Sequence, residues 1–129
     1  MVSADTNILL RWVLNDLPDQ AAAADTLLRN EDGCRIEDVA INEMVFVLEK
    51  VYGFEHQLVA GFVRSLIALG QVDCDRVLFS NALRMYEKYA QLSFADCYLA
   101  AKANQSGNRP LYTFDKQLAK KAEPAELLA

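Results

Sequence analysis

The chain has 129 residues, enough for one domain with a sizeable core, and 53% of them are hydrophobic, which excludes a disordered segment. No apolar run reaches the length of a bilayer crossing, and the start lacks a basic, signal-like region, so a cytoplasmic protein is expected. A net charge of −5 argues against a broad nucleic-acid-binding surface, and a single histidine excludes a metal-free mechanism with two histidines as acid and base.

Residues 1–4 read as a short strand. Asp5 or Thr6 caps a helix to about Leu14, with Ile8, Leu9, Trp12 and Val13 on one face. Pro18 starts a second, alanine-rich helix to about Arg29, and residues 30–33 turn. Residues 34–39 read as a strand. A third helix runs through Tyr52, because Ile41, Val45, Leu48 and Tyr52 recur at helical spacing. Gly53 stops it. A fourth helix covers residues 55–69, and residues 71–74 form a strand. Residues 75–91 form a fifth helix, with Leu78, Ala82, Met85 and Tyr89 on one face. Ser93 opens a sixth, whose alanines allow close backbone approach. After the turn at 106–110, residues 111–114 make a strand and a short helix follows Asp115. The last residues add an edge strand. Strands alternating with helices predict an α/β fold with a mainly parallel sheet, in one domain over residues 1–129. Ligands of such sheets bind beyond the carboxyl ends of the strands, at the switch in strand order, where Asp5 and Asp115 are expected.

Cys34, Cys74 and Cys97 are far apart and odd in number, so reduced, buried thiols are expected. His56 reads as a surface residue. Lys116, Lys120 and Lys121, with Lys102, Arg109 and Arg11, offer either a local basic patch or a solvated face.

Four acids stand against apolar chain: Asp5, Glu43, Asp96 and Asp115. Each has an ordinary reading. Asp5 and Asp115 suit helix N-caps, Ser93-x-x-Asp96 suits a capping box, and Glu43 suits a first helical turn. Glu43 also lies close to Ile41, Met44 and Val45, which argues against plain solvent exposure. A carboxylate beside a core is costly unless it is paired or binds a metal. Two carboxylates ~4 Å apart repel by about 4 kcal/mol at an effective dielectric near 20. A cluster of four therefore wants a divalent ion, and oxygen-only ligands favour Mg²⁺ or Mn²⁺.

Those residues also carry a resemblance. Asp5-Thr6-Asn7-Ile8-Leu9-Leu10-Arg11-Trp12 resembles the opening of a PIN domain, as found in the toxin nucleases of VapBC toxin-antitoxin systems. Glu43-Met44-Val45-Phe46-Val47-Leu48-Glu49, Phe94-Ala95-Asp96-Cys97-Tyr98-Leu99-Ala100-Ala101 and Leu111-Tyr112-Thr113-Phe114-Asp115 resemble its later acidic motifs, in order. Cys97 and Asn42 stand where smaller residues are common. The resemblance implies a three-layer α/β/α domain and a Mg²⁺- or Mn²⁺-dependent endoribonuclease with Asp5, Glu43, Asp96 and Asp115 as catalytic, metal-binding residues. It also implies a homodimer and a small cognate antitoxin. Thr6, Asn7, Ser93 and Thr113 are candidates to orient the acids by hydrogen bonds, or else ordinary caps and turn residues. Trp12, Val13 and the helix at 55–69 offer apolar surface for the dimer. Two other readings stand beside this one. The first is another metal-dependent phosphoryl hydrolase, although its Asp-x-Asp strand end is missing. The second is a non-catalytic protein-binding module of the same fold.

Overall fold

A computed structural model describes all 129 residues, in two compact units, Met1–Asp75 and Arg76–Ala129. The first holds β1 (Val2–Ser3), α1 (Thr6–Leu14), α2 (Pro18–Leu28), β2 (Cys34–Arg35), α3 (Asp38–Lys50), α4 (His56–Ile67) and β3 (Val72–Asp73). Its sheet has the order β1-β2-β3, and both pairings are parallel. Val2 lies opposite Cys34, which lies opposite Val72. Parallel pairing requires a crossover, and two helices make each one here. The order is sequential, so this sheet contains no switch point, and Asp5 follows the carboxyl end of its edge strand.

Local chemistry sets the boundaries. Asp5 takes extended backbone and caps α1. Asn15 ends α1 in the left-handed region, which asparagine tolerates. Pro18 occupies the first position of α2, where its missing N–H costs nothing. Gly33, at φ +91°, turns the chain into β2. The strand expected over 34–39 is only Cys34–Arg35. Its neighbours are equally short, and Glu37 already precedes the first turn of α3.

The core of this unit includes Leu9, Leu28, Ile36, Ile41, Met44, Leu48, Val59, Val63 and Leu66, all fully buried. Each such side chain contributes about 1.5–3 kcal/mol of burial. The face expected of α1 is rotated. Leu9 and Leu10 are buried, whereas Ile8, Trp12 and Val13 are half-buried. The Trp12 indole leans on α2, where its Nε1–H donates to Asp25 Oδ1 at 2.9 Å. Tyr52 lies beyond the end of α3, exposed and stacked on Phe54 at 5.8 Å. His56 is half-buried, not a free surface residue; its Nε2 lies 3.5 Å from Glu49 Oε2.

The second unit holds α5 (Arg76–Lys88), α6 (Phe94–Ser106), β4 (Leu111–Thr113), α7 (Lys116–Lys121) and β5 (Ala125–Leu127). β4 and β5 pair in parallel, Leu111 opposite Ala125, with α7 as the crossover. The expected terminal edge strand is thus present. α5 packs on α6 through aromatic rings. Phe94 meets Phe79 at 6.2 Å and the edge of Tyr86 at 5.2 Å. Ala100, Ala101 and Ala103 are buried on α6. Of the face expected for α5, Leu78 and Ala82 are buried. Met85 and Tyr89 are half-buried, and Phe79, Leu83 and Tyr86 take the interior instead. Cys34 and Cys97 are buried free thiols, as expected; Cys74 is half-exposed. No helix is long and apolar enough to cross a membrane.

Candidate active site

Asp5 is placed by the step from β1 into α1. Its Oδ1 accepts the Ile8 backbone N–H at 3.1 Å. It makes no ion pair, and Oδ2 is left open. Glu43 is placed by α3. At 3.6 residues per turn it falls about 200° around the helix from Ile41. It therefore points away from the buried row Ile41, Met44, Val45 and Leu48 and shares the exposed side with Val39 and Phe46. Adjacency in sequence to apolar residues was misleading here, because neighbours in a helix diverge by about 100° each.

The two acids nevertheless meet one cleft. Asp5, Thr6, Asn7, Leu10, Glu43 and Val47 line a cavity of about 280 Å³. The Thr6 hydroxyl donates to Glu43 Oε2 at 3.3 Å and so ties α1 to α3. Glu43 Oε1 has no partner. Asn7 contributes an amide without a protein hydrogen bond. Leu10 and Val47 form the apolar wall. Val47 follows Glu43 by four positions, the helical spacing that would have identified it. Arg11 does not neutralise the pair. Its guanidinium is held by Asp16, at 2.9 and 3.1 Å to the two carboxylate oxygens. Asn42 Oδ1 is buried without a hydrogen bond, at a cost of about 1–3 kcal/mol, but Asn42 does not line the cleft.

In the second unit, Asp115 caps α7. Its Oδ1 accepts the N–H groups of Gln117 at 2.9 Å and Leu118 at 3.0 Å. Its own N–H donates to Thr113 Oγ1 at 3.0 Å. Asp96 lies in the first turn of α6, half-buried, and its carboxylate has neither a hydrogen bond nor an ion pair. Ser93 Oγ accepts the Asp96 backbone N–H at 3.1 Å. Thr6 thus bonds a carboxylate directly, whereas Ser93 and Thr113 bond the backbone of the residues they were expected to orient.

The capping roles are therefore real, and they leave carboxylate oxygens free. All four acids are exposed or half-buried, and no polar side chain is fully buried. Desolvation alone does not demand a cation, contrary to the expectation of carboxylates set against the core. What Asp5 and Glu43 share is one cleft with no cationic partner.

A divalent ion is the group such donors imply. Asp5 and Glu43 offer open carboxylate oxygens, Thr6 and Asn7 offer neutral ones, and no sulfur or imidazole lines the cleft. This fits a hard cation. In neither unit do three His, Cys, Asp or Glu side chains gather into a metal-holding group. The fit is to an ion that takes one or two carboxylates and keeps several waters, as Mg²⁺ does, not to a closed cage.

Comparison with known proteins agrees with the sequence motifs. A family model described as PIN domain matches residues 2–124 and so spans both units. No curated protein matches the chain. Proteins of this family are generally nucleases that use divalent metal ions. With nearly the whole chain matched, the protein belongs to the PIN domain family, and its fold class is the three-layer α/β/α class with a mainly parallel sheet.

Proposed function

We propose that this chain is a Mg²⁺- or Mn²⁺-dependent endoribonuclease, the toxin of a type II toxin-antitoxin pair of the VapBC kind. The observation that carries the reading is the cleft on which Asp5 and Glu43 stand together without a cationic partner, in a chain of a nuclease family. Asp96 and Asp115 complete the acidic set in the proposal, and the chain acts as a single nuclease domain.

A bound divalent ion supplies Lewis-acid polarisation and makes water a better nucleophile at neutral pH. The residues do the rest. The Ile8 N–H fixes one oxygen of Asp5, and the other would be free to hold the cation. Thr6 fixes Glu43 Oε2, so Oε1 would be free to ligate the ion or to hold a water beside it. Leu10 and Val47 keep one wall dry, which strengthens charge interactions beside it.

A homodimer through helices of the first unit and a basic antitoxin segment belong to the same proposal. Trp12 and Val13 are less exposed than a dimer patch needs, and α4 buries most of its apolar residues. Val39, Phe46, Val51 and Leu58 supply the exposed apolar surface instead. The acidic cleft suits an antitoxin arginine, whose guanidinium forks onto carboxylates.

The test is cleavage of single-stranded RNA by the purified chain. Exhaustive chelation should stop it, and Mg²⁺ or Mn²⁺ should restore it. Cleavage that persists in chelator overturns the metal assignment. A folded, metal-supplied chain that cuts no RNA leaves the protein-binding reading in its place.

A further inference from the structure

The end of α5 and the end of α7 converge on one aromatic ring. Lys88 Nζ lies 5.3 Å from the centroid of Tyr89, and Lys121 Nζ lies 5.6 Å from it. The ring sits in a groove of about 530 Å³ that Arg84, Lys120 and Glu123 also line. Four cations thus face one carboxylate in a chain whose net charge is −5. None of the four makes an ion pair, and Arg84 bonds only the side-chain oxygen of Asn81. Helix dipoles favour a cation in each last turn. That accounts for Lys88 at the end of α5 and for Lys120 and Lys121 at the end of α7, but not for Arg84, nor for the approach of two lysines from different helices to one ring.

We infer that this groove binds single-stranded RNA, with Lys88, Lys120, Lys121 and Arg84 on its phosphates and Tyr89 stacked against a base. The inference rests on the nuclease reading and adds a substrate-binding surface to it. Unpaired, like-charged side chains gathered on one groove repel one another and gain from an anion. Lysine suits phosphate as a point charge. The ring selects the kind of anion. Exposed cation–π contacts are worth about 0.5–1 kcal/mol, whereas stacking of a base on an aromatic ring is worth about 1–3 kcal/mol. An arriving strand therefore gains by moving the ammonium groups from the ring to its phosphates and laying a base on the vacated face. An acidic peptide would satisfy the lysines but leave the ring unused.

The test uses the full chain in EDTA, which prevents cleavage, with a labelled, unstructured RNA oligonucleotide followed by fluorescence anisotropy over a series of KCl concentrations. Wild type should bind. Joint substitution Lys88→Gln and Lys121→Gln should flatten the slope of log affinity against log salt by about 1.4, for two lost phosphate contacts. The pair Arg84→Gln and Lys120→Gln should act in the same direction and guards against a fold defect in the first. Tyr89→Leu should weaken binding by at least about fivefold with the slope unchanged. Lys50→Gln, on α3, should change neither. If wild type binds and the groove variants bind equally with the same slope, the groove is not the RNA surface and the nuclease reading stands. If Tyr89→Leu alone is neutral, the groove is a general anion site and the RNA assignment fails. A wild-type chain that cuts RNA with metal but does not bind it in EDTA also overturns the groove. A chain that neither binds nor cuts overturns both readings.

Discussion

The hydroxyl of Thr6 donates to Glu43 across 37 positions of sequence, and this bond joins the first turn of α1 to the exposed side of α3. It is the direct side-chain link between the segments that carry the first two acids. Glu43 is exposed and has no other partner, so without Thr6 its carboxylate is free to rotate. Thr6→Val keeps the shape and removes the donor. Metal affinity, read by calorimetric titration, should fall by about 10–100-fold. Stability should change by no more than about 0.5 kcal/mol, as for most surface sites. An unchanged affinity would remove Thr6 from the site.

Asp5 has two roles that substitution can separate. Asparagine caps helices about as well as aspartate, so Asp5→Asn should retain the Ile8 bond and the melting temperature. Its RNA cleavage should nonetheless fall to background, because a neutral amide binds a hard cation poorly. Asp5→Ala should lose activity and also about 0.5–2 kcal/mol of stability. Near-wild-type cleavage by folded Asp5→Asn would dismiss Asp5 as a metal ligand.

Much of the fold was legible because its signals are local. Asp5, Pro18, Ser93 and Gly107 mark helix ends through their own backbone and side-chain chemistry, which no distant contact has to supply. The end of β2 was not legible, since a strand stops where its partners stop, and β1 and β3 are set elsewhere in the chain. Glu43 became a candidate through its motif, but the side of the helix it occupies depends on where the core lies. The basic groove escaped for the same reason. Lys120 and Lys121 stood out near Asp115, but Arg84, Lys88 and Tyr89 join them only because α5 and α7 end together.

The thiols should differ in the native state. Cys34 and Cys97 are fully buried, and burial pushes the Cys34 thiol up, away from its reactive anion. Cys74 is half-exposed. A maleimide at neutral pH should therefore modify Cys74 alone, and all three cysteines after denaturation, as counted by intact mass. Native labelling of Cys34 at the rate of Cys74 would show that the β2 strand opens on the labelling timescale.

Acid should uncouple α1 from α2 through Asp25. Its carboxylate accepts the Trp12 indole N–H at 2.9 Å and the Arg29 Nε–H at 2.9 Å. These bonds, the Trp12 bond foremost, hold its carboxyl below the ordinary value of 3.8. The sign follows from linkage. A depressed folded value means that the unfolded chain binds the proton first, so the stabilisation is complete above 3.8 and is lost as pH falls through the lower folded value. The gain is modest, because the Asp25 side chain is 45% exposed and water screens the Arg29 pair. Trp12→Phe keeps an aromatic ring beside α2 and removes the donor. Denaturant unfolding at a series of pH values should find wild type more stable than Trp12→Phe near neutrality, with the gap narrowing below 3.8. Asp25→Asn should lose most of that acid dependence while keeping an acceptor for the indole. Parallel stability curves for wild type and Trp12→Phe down to pH 2 would mean that the indole bond does not discriminate between the two forms of Asp25, and that the link between α1 and α2 is apolar contact alone.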